Sequence, residues 1–175
     1  MSFKEKLWFL EQQAKKHRVP IMHPQKAIWL ETFICKHKPK TILELGCAIG
    51  YSTSILGHKG AKITSVDASV PAIHFAKEYT EYFKIDVHFF HSDCITFLQT
   101  CKQKFDVILI DFEKKKYIDV IPFFETLLHK DSIILADNID NPKCAKYVEI
   151  MKTDKRFHSE IIDEGDHLMI SRFVK

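Results

Sequence analysis

"TILELGCAIGYSTSILGHKGAKITSVD" (residues 41–67) reads as strand, glycine loop, helix and second strand in a single run. "TILEL" is short and apolar, "GYSTSILGH" opens a helix, and "KITSVD" is again strand-like and ends on Asp67. Gly46 and Gly50 bracket the loop, where glycine allows tight turning and close backbone approach. The helix behind the loop offers free N–H groups to an anion. The spacing is GxxxG and not GxGxxG, so the pyrophosphate fingerprint is absent. A glycine loop alone is also compatible with an ordinary turn.

The same alternation continues outward. "VPAIHFAKEYTEYF" is a helix, "DVHFF" a strand, "CITFLQTC" a helical stretch, "FDVILID" a strand and "YIDVIPFFETLLHK" a helix. "SIILADN" is a fifth strand and "NPKCAKYVEIMK" a helix; "FHSEIID" and "HLMISRFV" close the chain as two strands joined by "EGD". Upstream, "FKEKLWFLEQQAKKH" places Phe3, Leu7, Leu10 and Ala14 at helical spacing. "VPIMHP" interrupts it, and "QKAIWLETFICKHK" resumes a helix that Pro39 stops. Strands alternating with helices predict an α/β fold: a seven-stranded, mostly parallel sheet with one antiparallel strand and helices on both faces. No linker or repeat divides the 175 residues, so a single domain is expected, with N-terminal helices over 1–40 and the core over 41–175.

Composition narrows the class. Hydrophobic residues make up 46% and charged residues 28%, and the formal charge is +3. That is mildly basic, without the clustered excess of a dedicated nucleic-acid binder. Five scattered cysteines without a CxxC pair read as reduced thiols in a cytoplasmic protein, not as a disulfide frame or zinc site. No apolar run reaches membrane-spanning length, and the N-terminus is charged throughout.

In open α/β sheets ligands bind beyond the carboxyl ends of the strands. The residues there are Glu44 to Gly50, Asp67, Ser92 and Asp93, Asp111, Asp137 and Asn138. Asp67 is placed to accept hydrogen bonds from ribose hydroxyls, or to work beside Ser69 at a helix start. Asp93 suits an adenine amino group and a helix cap equally. "ILIDFEKKKY" (108–117) runs from a buried strand straight into Lys114, Lys115 and Lys116, which by themselves read as a solvated turn.

Taken in order, "ELGCAIGYS", Asp67, "SD", "ID" and "ADN" resemble the class I S-adenosylmethionine-dependent methyltransferases with a Rossmann-like fold. "FDVILIDFEKKKYIDVIPFFETLL" with "IILADN" is similar to the metal-dependent O-methyltransferase family of catechol and caffeoyl-CoA type, and "VPIM" and "GCAIGYS" resemble its bacterial branch acting on 5-hydroxyuridine in tRNA. The resemblance implies a cofactor site of Glu44, Gly46, Gly50, Tyr51, Ser52, Asp67, Asp93, Asp111 and Phe112. It implies Asp111, Asp137 and Asn138 as ligands of Mg²⁺ or a similar divalent cation, and Lys114 as general base. Two carboxylates and an amide are hard oxygen donors suited to such an ion. A hydroxyl bound to it ionises more readily, and a lysine beside a cation gives up its proton more easily. The implied acceptor is a hydroxylated small molecule or a tRNA nucleoside; a homodimer is open, and no membrane is involved.

Three stretches depart from the family pattern. "LHKDSIILADN" lacks the usual glycine pair, "EGDHL" lacks a second glycine, and the segment after Asn138 is short. A short segment leaves little to wall a substrate pocket, which suits a bulky acceptor or a non-catalytic cofactor-binding domain. A nicotinamide-dependent dehydrogenase is disfavoured by the missing GxGxxG.

Overall fold

The computed structural model describes residues 1–163 and 167–175. The expected "EGD" turn at 164–166 lies outside the described residues. Seven strands form one sheet: β1 (Thr41–Leu45), β2 (Lys62–Asp67), β3 (Val87–His91), β4 (Phe105–Ile110), β5 (Leu128–Ala136), β6 (Phe157–Ile162) and β7 (Leu168–Phe173). Their order is β3-β2-β1-β4-β5-β7-β6. β1 to β5 pair in parallel, and β7 runs antiparallel to both β5 and β6. This is the doubly wound arrangement expected from the alternation, with β7 as the single reversed strand. The chain leaves β1 for β2 and β3 on one side and returns to β4 and β5 on the other. The crevice between the ends of β1 and β4 is therefore the topological switch point.

Side chains alternate across the sheet, as strand geometry requires. Leu43, Leu45, Ile108, Ile110, Ile134 and Ala136 enter one buried cluster with helices α5 (Cys94–Thr100), α6 (Tyr117–Val120), α7 (Phe124–Leu127) and α8 (Ala145–Thr153). Ile42, Val107, Leu109, Ile133 and Leu135 enter the other, with α1 (Phe3–His17), α2 (Pro24–His37), α3 (Tyr51–Gly57) and α4 (Val70–Glu81). The N-terminal helices thus build one face of the core. α1 starts at a capping box in which Ser2 accepts from the Glu5 amide and Glu5 from the Ser2 amide. α2 starts at Pro24 and ends where Lys38 turns left-handed, one residue before Pro39.

One segment departs from the sequence expectation. The single helix expected over 117–130 is two short α turns, α6 and α7, joined by a 3₁₀ turn containing Pro122, and β5 already begins at Leu128. Between Phe105 and Val107 the pairing with β5 jumps from Leu128 to Ile133. Ser132 closes this bulge by donating to the Phe105 carbonyl and accepting from the His129 amide. Asp131 takes the left-handed turn at φ 68, a conformation glycine adopts more easily.

Candidate active site

Backbone bonds extend the ladder one step past the strands and set the site in a row. The Gly46 amide donates to Val66, Ser92 to Asp67, Asp111 to Leu45 and Asp137 to Ile110. Gly46, Asp67, Asp111 and Asp137 consequently lie side by side along the carboxyl edge. Gly46 has φ +97, and a Cβ there would land on the Asp111 carbonyl, 2.8 Å from its carbon and 3.2 Å from Phe112 Cβ. The glycine is needed for this backbone crossing as much as for any ligand.

Of the expected cofactor residues, Asp67, Phe112, Gly46 and Asp111 sit at this edge and are partly exposed. Asp67 steadies the loop: Oδ2 accepts from the Cys47 and Ala48 amides at 3.1 and 3.2 Å, and Oδ1 from Ser69 at 2.8 Å. Asp93 caps α5, accepting from Ile95 and Thr96, and pairs with Lys116 at 2.8 Å. That ammonium, with the Thr96 amide, holds the Asp93 carboxyl below its usual range. Lys116, its side chain 32% exposed, thereby links the turn after β4 to the end of β3 at the surface. Lys115, 65% exposed and paired with Glu113, does lie in solvent.

Four expected cofactor residues, Glu44, Gly50, Tyr51 and Ser52, are turned inward. Glu44 is fully buried and accepts from Ser52, Thr53 and Ser65, each at 2.6 Å. It is a latch joining β1, α3 and β2, and the Ser52 hydroxyl belongs to that latch. Tyr51 is 4% exposed and donates to Glu11 at 2.8 Å, tying α3 to α1. Gly50 packs α3 against Ala76 and Thr80 of α4 at φ +82. The sequence pattern could not separate loop residues facing the cleft from those facing the core.

Burial pushes the Glu44 carboxyl from 4.5 up to about 7, against the pull of its three hydroxyl donors. Between those values the folded chain keeps a proton that the unfolded chain releases, so stability falls as pH rises through this window. The slope amounts to about 3 kcal/mol across it. Glu44→Gln, which cannot ionise, is expected to flatten the decline in Tm between about pH 5 and pH 8. Thermal melts of both chains across that range check it, and parallel curves would refute it.

The expected metal ligands and base do converge, but with an added residue. Lys114 donates to Asp111 Oδ1 at 2.6 Å and to Tyr117 Oη at 3.0 Å. Tyr117 is completely buried, its hydroxyl 2.9 Å from the Ile110 carbonyl and 3.0 Å from that of Asp137. It is a strut between the ends of β4 and β5, where the sequence suggested only a packing aromatic. Asp137 Oδ1 accepts from the Asn138 amide at 2.7 Å and from the ammonium of Lys26, on α2. Lys26 and Asp137 are each 1% exposed. Burial and the neighbouring Asp111 push Asp137 upward, and Lys26 opposes them. Lys26 was absent from the sequence-derived site. It stands on the same helical face as Ala27, Leu30, Phe33 and Ile34, all buried, and a lysine in that apolar stripe was the available signal.

Asp111, Asp137 and Asn138 are the right donor types for Mg²⁺, but both carboxylates are already paired with lysines. Among the described residues no group of three or more His, Cys, Asp or Glu is arranged to hold a metal. Asp111, Asp137 and Asn138 are the residues that would hold such an ion, with the Lys114 and Lys26 ammonium groups beside the two carboxylates.

Residues 36–169 match the protein family described as "Methyltransferase domain". The O-methyltransferase hkm8 of Aspergillus hancockii is 26% identical over 146 residues, 78% of this chain and 58% of that protein. Catechol O-methyltransferase B of Danio rerio is 23% identical over 147 residues, 77% of this chain and 56% of that protein. A shorter match, 33% over 95 residues, joins 51% of this chain to 46% of the large ribosomal subunit protein bL25 of Cytophaga hutchinsonii. The chain spans about half the length of these curated relatives. Among solved structures, an O-methyltransferase from Bacillus cereus in complex with SAH is alike at a TM-score of 0.85 and 18% identity, over 97% of this chain and 90% of that one. That likeness is one of fold. Because the family match runs from the end of α2 through the strand-end site into β7, the chain belongs to the methyltransferase-domain family.

Proposed function

We propose that this chain transfers the methyl group of S-adenosylmethionine to a hydroxyl of an acceptor. The observation that carries the reading is the crevice at the β1/β4 switch point, with the Gly46 loop seated on the Asp111 backbone, Asp67 on its β2 side and Lys114 following β4. Open α/β sheets bind nucleotide-like ligands there. Phe112 offers an aromatic wall, and Asp67 Oδ1 keeps an acceptor position for a ribose hydroxyl beside its bond to Ser69. The similar Bacillus cereus O-methyltransferase holds SAH, and the two O-methyltransferase relatives supply the reaction class.

The transfer moves a methyl from a sulfonium to an oxygen that approaches in line, while the hydroxyl loses its proton. Lys114 is the group assigned to that oxygen. Two of its hydrogen-bonding positions are used by Asp111 and Tyr117, which leaves one for an incoming hydroxyl. Lys114 first gives a proton to Asp111, to which it donates at 2.6 Å, and the neutral amine then takes the acceptor's proton. The segment between Asn138 and α8 is short, with a 3₁₀ turn beginning at Pro142. This favours a hydroxyl carried by a bulky molecule, such as a hydroxylated tRNA nucleoside, over a small enclosed catechol.

Transfer of labelled methyl from S-adenosylmethionine to tRNA bearing 5-hydroxyuridine and to simple phenols and diols tests the reading. Lys114→Ala is expected to lower kcat by about 10²- to 10⁴-fold with cofactor affinity unchanged. Asp67→Ala is expected to weaken SAH binding by about 10- to 100-fold in calorimetry. No SAH binding by the unaltered chain would remove the enzyme reading altogether.

A further inference from the structure

We infer that Lys116 is a specificity-determining residue: paired with Asp93, it reads the edge of the cofactor's adenine ring, an inference that rests on the methyl-transfer reading above. The two residues come from different strand ends. Asp93 follows β3, where the Ser92 amide donates to the Asp67 carbonyl. Lys116 closes the 3₁₀ turn that comes after β4 and Phe112. Their side chains meet with Lys116 Nζ 2.8 Å from Asp93 Oδ2.

The hydrogen-bonding positions of this pair are only partly used. Asp93 Oδ1 is committed to the fold, accepting from the Ile95 and Thr96 amides at 3.0 and 3.1 Å. Among the described residues Oδ2 accepts from Lys116 alone, which leaves it an acceptor position. The Lys116 ammonium gives one N–H to Asp93 and a second to Glu113 at 3.2 Å, which leaves it a donor. The side chains are 32% and 40% exposed, so a ligand can reach both. The pair also keeps its charges: the Lys116 ammonium holds the Asp93 carboxyl below its usual range, and the Asp93 and Glu113 carboxylates hold Lys116 above its own.

One acceptor beside one donor is the complement of the adenine edge, where the amino group donates and the neighbouring ring nitrogen N1 accepts. Asp93 Oδ2 takes the amino hydrogen and Lys116 donates to N1. A carboxylate alone could not make this choice, because it accepts equally from an amino group and from a ring N–H. Hypoxanthine carries an oxygen in place of the amino group and a hydrogen on N1. Against Asp93 and Lys116 that ring sets acceptor on acceptor and donor on donor, so Lys116 is the residue that turns a general contact into recognition of adenine.

Calorimetry with SAH and with S-inosylhomocysteine, its hypoxanthine counterpart, tests this on the unaltered chain and on Lys116→Met. The unaltered chain is expected to prefer SAH by at least about 10-fold. Lys116→Met is expected to bind SAH about 3- to 10-fold more weakly while S-inosylhomocysteine binds as well as before or better. Lys115→Met, which alters a residue 65% exposed and paired with Glu113, is the control and is expected to leave both affinities unchanged. Equal losses for the two ligands in Lys116→Met would make Lys116 a structural tie only and overturn the inference, as would an unchanged affinity for SAH. An unaltered chain that binds both ligands equally overturns it without any variant, so the test stands even if Lys116→Met does not fold. The two readings fail separately: no SAH binding by the unaltered chain removes methyl transfer and this inference with it, whereas SAH binding without discrimination removes the inference alone.

Discussion

Gly46→Ala is expected to destabilise the chain by about 3–5 kcal/mol and to abolish cofactor binding. Two costs combine. Alanine at φ +97 sits in a backbone region that a Cβ disfavours by about 1–2 kcal/mol. The Cβ also meets the Asp111 carbonyl, which is backbone and cannot rotate away like the end of a side chain. Overpacking of this kind costs about 1–3 kcal/mol when neighbours shift to relieve it. The shift must pull β1's exit away from β4's, although the Asp111 amide donates to Leu45 across this gap at 2.9 Å. For a chain of this size the sum corresponds to a fall in Tm of about 6–20 °C. Asp111, Phe112 and Lys114 would move together, so activity is lost even where the fold survives. Thermal melts and SAH calorimetry check both parts. Gly50→Ala is a useful contrast: it is strained at φ +82, but its Cβ would meet Ala76 and Thr80 at 3.1 Å, away from Asp111. A Gly46→Ala chain that melted within about 1 °C of the parent would show that the loop does not depend on this crossing.

The glycine crossing was legible in the sequence only as a loop. GxxxG marks a tight turn, but nothing local says that the first glycine touches a strand begun sixty residues later. Strand order was legible for a related reason. "TILEL", "KITSVD" and "FDVILI" announce themselves by apolar runs of strand length, and alternation with helices leaves a parallel sheet as the simple solution. What the pattern could not resolve was direction. Glu44 and Asp67 are both acidic residues at or near strand ends, yet Glu44 falls one residue short and on the face beneath α3, so it is buried among hydroxyls while Asp67 reaches the loop. Tyr117 looked like packing because its ring is packed; its hydroxyl contacts come from two strands at once. The helix over 117–130 was overextended because "LLHK" continues a helical period, whereas the contact of Leu128 with Phe105 belongs to the sheet. The strand-end carboxylates were found because topology places them there. Their lysine partners divide: Lys114 lies three residues from Asp111, but Lys26 and Asp137 are 111 residues apart.

That distant pair gives the second large effect. Lys26→Met is expected to cost about 3–5 kcal/mol, since it removes one partner of a fully buried ion pair and leaves the other charged group without it. The loss should not come from packing alone, because methionine nearly matches the length of the lysine stem and suits the apolar face of α2. Asp137→Asn should cost a similar amount by taking from Lys26 the buried carboxylate it faces. The two costs should not add. In Lys26→Met combined with Asp137→Asn both charges of this pair are gone, the Asn138 amide keeps an oxygen acceptor, and most of the lost stability should return. Chemical denaturation of the single and double variants reads this as a coupling energy of about 4 kcal/mol or more, well above the few tenths expected of independent sites. Additive single costs would mean that Lys26 is held by its other surroundings on α2 and not by Asp137. Coupled costs would identify the Lys26–Asp137 pair as one unit that ties α2 to the end of β5.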